Sequence, residues 1–274
     1  MNQRSVFFIS DGTGLTVESL ANSLLAQFQG FEFRNVTIPF VNTDDKARRA
    51  VERVNAAHRE TGMKPLVFST LVDPKVRHVV SDHAEATCFD LYDAYLGPLE
   101  KALGAHPLSS IGRSHGVADH GRYVERMEAV NFALRTDDGS AVARYDQADV
   151  IVIGVSRSGK TPTCLYLALQ YGIRAANYPL TDEDLENMQL PALLRPHRDR
   201  LYGLIIDPQR LQEIRSERRP DSRYASTRQC RYEVRQVAAI YRREGLQTLD
   251  TTSMSVEEIA STIVHDAGLK RPAR

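Results

Sequence analysis

Eight consecutive residues, Gly154-Val155-Ser156-Arg157-Ser158-Gly159-Lys160-Thr161, have the types and spacing of a loop that grips phosphate. They fit G-x-x-x-x-G-K-[ST] at every fixed position. The two glycines let the backbone turn tightly and aim its N–H groups at phosphate oxygens. Lys160 is a mobile point charge for the outer phosphates, and the Thr161 hydroxyl is placed to ligate Mg²⁺. The chain has 35 Lys and Arg residues, of which only Lys46, Lys64, Lys75, Lys101, Lys160 and Lys270 are lysines. Against that arginine-rich background, a lysine stands in the one slot where a flexible ammonium is wanted.

Other residues bear on the same chemistry. Asp207 follows the apolar run Leu204-Ile205-Ile206, the usual place for a second Mg²⁺-site carboxylate in proteins with such a loop. Asp207-Pro208 also reads as the cap and first position of a helix. Between that strand and the last strand lie many arginines. Arg215, Arg218, Arg219 and Arg223 flank a helix break at Pro220 and are candidates for a lid that closes on a transferred phosphoryl group. The competing reading is a solvated helix face paired with Glu213, Glu217 and Glu233. Asp11-Gly-Thr-Gly14 sits between a strand and a helix, where open α/β sheets bind ligands. His115 lies in a polar, glycine-containing loop and is a candidate phosphate contact or proton shuttle. Asp137 and Asp138 precede Gly139 in ordinary turn chemistry. For the carboxylate that takes a proton from an attacking hydroxyl, Asp11, Asp137 and Asp207 are candidates, with Asp11 favoured and Asp207 assigned to the metal.

The elements that must position these residues form two α/β blocks. Val150 to Ile153 are four consecutive β-branched residues, the pattern of a parallel strand buried on both faces. Pro162 suits the first turn of the following helix, which Gly172 closes. Strands over 149–154, 173–178, 201–207 and 246–250 alternate with helices, including an arginine-rich helical region over 209–244. The last helix opens at the capping box of Ser255 and Glu258. The first block has strands over 5–10, 35–41 and 65–71. Helices follow over 15–29, from Thr43 to Gly62, and from near Asp73-Pro74, with further helix to about Leu103. Alternating strands and helices argue for parallel sheets. The expected fold class is therefore α/β. An N-terminal parallel-sheet α/β domain (1–105) and a connecting segment (106–147) precede a P-loop kinase-like α/β domain (148–274), with a helix around 123–134 inside the connection.

Composition narrows the class of protein. The 274 residues are 42% hydrophobic and 26% charged, and 35 acidic residues balance the basic ones, so no global field recruits nucleic acid or membrane. Cys88, Cys164 and Cys230 are far apart, odd in number and lack metal-site spacing, which points to a reducing cytoplasm. The apolar run from Val6 to Ile9 is too short for a signal-peptide core, and no later run approaches a membrane span.

Several stretches, in order along nearly the whole chain, resemble one family. They are Phe8-Ile-Ser-Asp-Gly-Thr13, Gly154 to Pro162, Tyr166-Leu-Ala168, Ala176-Asn-Tyr-Pro179, Gly203-Leu-Ile-Ile-Asp-Pro208, Ser222-Arg-Tyr-Ala225, Gln229-Cys-Arg231 and Ser255-Val-Glu-Glu-Ile-Ala260. The chain is similar to the pyruvate, phosphate dikinase regulatory protein family. That resemblance implies a bifunctional serine/threonine kinase and phosphorylase. One direction moves a phosphoryl group from ADP to a threonine beside the catalytic histidine of phosphoenolpyruvate synthase and inactivates it. The other uses inorganic phosphate to remove the group, releasing pyrophosphate. ADP, inorganic phosphate and Mg²⁺ are thus the implied small molecules, with the nucleotide on residues 154–161. Gly159 and the Asp-Gly-Thr opening favour the branch that acts on the synthase over the sister branch that acts on the dikinase. Two other classes fit the residues: a small-metabolite P-loop kinase, given the closing Asp250-Thr-Thr252, and a nucleotide sensor without catalysis. The sequence leaves a homo-oligomer open.

Overall fold

The computed structural model describes residues 2–106, 120–139 and 142–269. His115 lies outside them. The chain divides into two units, Met1–Gly116 and Val117–Arg274.

In the first unit, strand β1 (Asn2–Ser10), helix α1 (Leu15–Leu25), strand β2 (Phe31–Ile38) and helix α2 (Asp44–Thr61) come first. They are followed by β3 (Leu66–Thr70), α3 (Pro74–His83), β4 (Thr87–Asp90) and α4 (Leu91–Leu103). The four strands are parallel in the order β2-β1-β3-β4. Val6, Phe7, Phe8 and Ile9 of β1 are all buried. Side chains alternate along a strand, so Phe7 and Ile9 enter one core with α2 and α3, and Val6 and Phe8 enter another with α1. Each such side chain contributes about 1.5–3 kcal/mol by leaving water. Helix α2 buries Ala47, Ala50, Val51 and Val54, the spacing of one helical face. The Thr43 hydroxyl caps its start and left-handed Gly62 its end.

Strand β4 falls between the helix begun at Asp73-Pro74 and the further helix to about residue 103, where the sequence announces no strand. Its Thr87, Cys88 and Phe89 are exposed at the sheet edge, so no buried apolar run announces it. Its register with β3 does: Phe89 pairs with Phe68, and the rings stack at 4.8 Å.

The second unit opens with α5 (His120–Arg135), two 3-10 turns (Asp137–Gly139 and Val142–Gln147) and β5 (Val150–Gly154). Next come α6 (Lys160–Tyr171), β6 (Ala175–Pro179), α7 (Asp182–Glu186) and a 3-10 segment (Ala192–Arg200). Then follow β7 (Leu201–Ile205), α8 (Pro208–Arg218), a 3-10 turn (Arg223–Ala225), α9 (Thr227–Glu244), β8 (Gln247–Asp250) and α10 (Val256–Asp266). Helix α5 lies within the stretch expected to connect the two blocks, and it packs into this unit. Its Ala129 and Ala133 share a core with Cys164 and Leu167 of α6.

These strands are parallel too, in the order β6-β5-β7-β8. All five residues of β5 are buried. Ile151 and Ile153 face α8 and α9, while Val150 and Val152 face α5, α6 and α10. Both sheets are therefore covered on two faces, and the architecture is α/β. In each, strand order reverses beside the first strand, at β1/β3 and at β5/β7, where ligands of open α/β sheets sit. The loops after those two strands are Asp11–Gly14 and residues 155–159. Among the described residues no helix is long and apolar enough to cross a membrane, and the three cysteines are free thiols.

Candidate functional site

The loop from Gly154 to Thr161 leaves buried β5 and enters α6, so a rigid strand and a helix hold its two ends. Gly154 is required by space: a Cβ there would meet Ser158 Oγ at 2.8 Å and the Leu204 carbonyl oxygen at 3.1 Å. Gly159 is required by backbone, with φ at 92°. Arg157 is also left-handed, at φ 75°. These left-handed residues flank Ser158, whose N–H donates to the Val155 carbonyl at 3.3 Å, and backbone of this kind is what anion-binding loops are built from. No side chain caps α6 at Gly159, which leaves its first-turn N–H groups for an anion.

Lys160 is buried and donates to the Val155 carbonyl at 2.8 Å, alongside the Ser158 hydroxyl at 3.0 Å. Burial pulls its ammonium down to about 8, an effect partly offset by the nearby Asp138 and Asp137 carboxylates. From below, Thr251 of the loop after β8 donates to the Ser158 carbonyl at 3.3 Å, bracing the turn.

Asp137 is the candidate carboxylate that contacts the end of the loop over 154–161. Thr161 Oγ1 donates to Asp137 Oδ1 at 2.8 Å, and Asn177 Nδ2 donates to the same oxygen. Asn177 is buried in the middle of β6, paired with Val152. Its amide also reaches Thr161 Oγ1 at 3.3 Å and accepts from the Asp138 backbone N–H at 3.1 Å. Asp138 and Gly139 both take left-handed backbone, and a Cβ on Gly139 would crowd the Tyr178 ring at 3.2 Å. The turn that sequence chemistry reads as ordinary is thus held against Thr161 by a strand residue forty positions on. Asn177 went unassigned in the sequence reading. A polar Asn following Ala175 and Ala176 in the buried part of a short strand is the signal that marks it.

The other two candidate carboxylates have different hydrogen-bond partners. Asp207 Oδ1 caps α8, accepting from Gln209 N at 2.8 Å and Arg210 N at 3.1 Å, and no hydrogen bond joins it to Thr161. Asp11 belongs to the first unit, where Oδ2 accepts from Val72 N at 2.8 Å.

The four lid arginines separate. Arg215 has no exposed side-chain surface, and each of its N–H groups has an acceptor. Nη1 and Nη2 form a bidentate pair with Glu233 at 3.0 and 2.6 Å. Nε and Nη2 also donate to the Ser156 carbonyl, and Nη1 to the Tyr224 carbonyl. The guanidinium lies 4.1 Å from the centroid of the Tyr224 ring, whose hydroxyl meets Ser156 Oγ at 2.9 Å. Arg215 therefore ties α8 and α9 to the loop at Ser156. Glu233 sits on the buried stripe of α9 with Cys230, Val237 and Ile240, which is where a carboxylate needs a buried cation. Arg218, Arg219 and Arg223 are exposed.

Comparison with known proteins gives a match over residues 6–264 to the model of the family described as kinase/pyrophosphorylase. A protein of Marinobacter nauticus named "Putative phosphoenolpyruvate synthase regulatory protein" is 51% identical over 98% of this chain and 99% of its own. Proteins of the same name from Ectopseudomonas mendocina, 51% identical over 98% of each chain, and Legionella pneumophila, 52% identical over 98% and 99%, are equally similar. The resemblance read from the motifs and these full-length matches agree: the chain belongs to the kinase/pyrophosphorylase family.

Proposed function

We propose that the chain is an ADP-dependent threonine kinase and a phosphate-dependent phosphorylase acting on phosphoenolpyruvate synthase. The observation that carries this reading is the phosphate loop with Thr161 hydrogen-bonded to Asp137, in a chain whose relatives are named for regulation of that synthase. In the kinase direction the threonine oxygen attacks the terminal phosphorus of ADP. A bond forms from threonine oxygen to phosphorus, the bridging bond to the α-phosphate breaks, AMP leaves, and the hydroxyl proton passes to a carboxylate. In the other direction an oxygen of inorganic phosphate attacks the phosphothreonine phosphorus. The threonine oxygen leaves with the proton of the attacking phosphate, and pyrophosphate is released.

Both reactions need a phosphoryl group held in line and its charge neutralised, which is mostly positioning and electrostatics. The loop N–H groups, the first turn of α6 and Lys160 supply the donors. Among the described residues there is no cluster of three or more His, Cys, Asp or Glu side chains that would hold a metal by itself. The hydroxyl of Thr161 and the carboxylate of Asp137 are hard oxygen donors of the kind Mg²⁺ takes, one or two from protein and the rest from phosphate and water. When bound there, the ion would neutralise charge on the phosphate oxygens. We assign the metal-side carboxylate to Asp137 in preference to Asp207, on its hydrogen bond to Thr161.

The test is transfer from ADP labelled in its terminal phosphate to purified synthase carrying its phosphohistidine. Label on a threonine of the synthase is the expected result. Label on a small molecule would make the chain a metabolite kinase, and no transfer would make it a nucleotide sensor.

A further inference from the structure

Beside the phosphate loop, the second unit has a concavity of about 380 Å³. The end of β6, the start of α7, the 3-10 turn Arg223–Ala225 and α9 enclose it. Ser156 is its wall on the loop side, whereas Lys160 and Thr161 do not line it. The space is thus next to the phosphate cradle and at the carboxyl end of the sheet, not within the cradle itself.

Its chemistry narrows the occupant. The Arg215–Glu233 pair is mutually neutralised at 2.6 Å. The charges left are the Asp182 carboxylate and the Arg223 guanidinium, both exposed. Asp182 is in the first turn of α7, but that helix start already has a complete capping box from Thr181 and Asp184. Gln229 Nε2 donates to Asp182 Oδ1 at 3.4 Å and to Glu233 Oε1 at 3.1 Å, which ties Asp182 to the buried pair. A purine needs a flat apolar slot. Tyr224 is the aromatic side chain of this lining, and the Arg215 guanidinium covers its ring. A polyphosphate would meet the Asp182 carboxylate, with Arg223 the one unpaired cation among the described residues of the lining to hold it. A side-chain hydroxyl finds instead an acceptor in Asp182 and a cation in Arg223 for the phosphoryl group it receives.

We propose that this pocket receives the phosphoryl-accepting side chain, a hydroxyl-bearing residue in a segment of a protein substrate, with Asp182 accepting its hydroxyl hydrogen and Gln229 holding Asp182 in place. The inference rests on the protein-kinase reading above and adds the acceptor subsite to it. Asp182→Asn and Gln229→Leu, each in the full chain, are compared with the unmodified protein for KM and kcat toward the synthase and for ADP affinity by calorimetry. The expected result is a fall of tenfold or more in kcat/KM for the synthase, with the ADP dissociation constant within twofold. A tenfold loss of ADP affinity with unchanged kcat/KM would hand the pocket to the nucleotide, and near-normal values for both would overturn the proposal. Hydrogen exchange on the unmodified protein gives a readout apart from turnover. Adding synthase to ADP-loaded enzyme is expected to slow exchange over residues 179–182 and 223–229. If no transfer to the synthase occurs at all, the functional reading fails, and this protection alone decides: its presence supports the pocket and its absence overturns it.

Discussion

Lys160 shows how one residue was legible in the sequence while its state was not. The motif places an ammonium at the phosphates; only the fold reveals that it is buried and titrates at about 8, with desolvation the main cause. A pKa depressed below the ordinary lysine value means the cation is present below about pH 8 and is lost as pH rises through it. ADP affinity of the free protein should therefore fall as pH rises from 7 to 9, a change that calorimetry at matched ionic strength would detect. Lys160→Ala should remove that pH dependence, and a slope that survives the substitution would assign the titration to another group. Asp137 is the opposite case. Its residue type and its turn are readable, but its contact with Thr161 depends on Asn177 of β6, which no local pattern links to it.

At the scale of elements, the arginine-rich segment of α8, the 3-10 turn and α9 is where the fold departs most from the sequence expectation. Four arginines near one helix break look alike in sequence, yet Arg215 points into the interior and the other three out to solvent. The discriminating feature is the apolar stripe of α9 interrupted by Glu233, an internal carboxylate that calls for a buried partner. Breaking such a pair leaves an uncompensated charge, so Arg215→Met should destabilise the protein by about 3–5 kcal/mol. Arg218→Ala and Arg219→Ala, at exposed positions, should stay within about 0.5 kcal/mol. Urea unfolding of the three variants checks this, and an Arg215→Met protein as stable as its parent would contradict the anchoring role. Strand β5 and α6 were readable because a β-branched run and a glycine-lysine loop are local signals. Strand β4 was not, because a four-residue exposed edge strand is defined by its pairing with β3 rather than by its own composition.

Across the whole molecule, the alternation of strands and helices announced two α/β blocks with parallel sheets, and both sheets are parallel. That both have the same strand order, with a glycine-bearing loop after the first strand of each, became visible only from the pairing. Strand order depends on which non-local pairs bury the most apolar surface, and no single segment encodes it. Under the proposed function the phosphate loop of the second unit serves both directions of transfer, because each moves a phosphoryl group to or from the same threonine oxygen. The most direct test measures initial rates in both directions for the parent protein and for Lys160→Ala, with thermal melts as the control for folding. The expected result is one AMP released per phosphothreonine formed by the parent, and a loss of at least about a hundredfold in both directions for the variant, the scale of removing one transition-state donor. Full retention of either direction by a folded Lys160→Ala protein would contradict it.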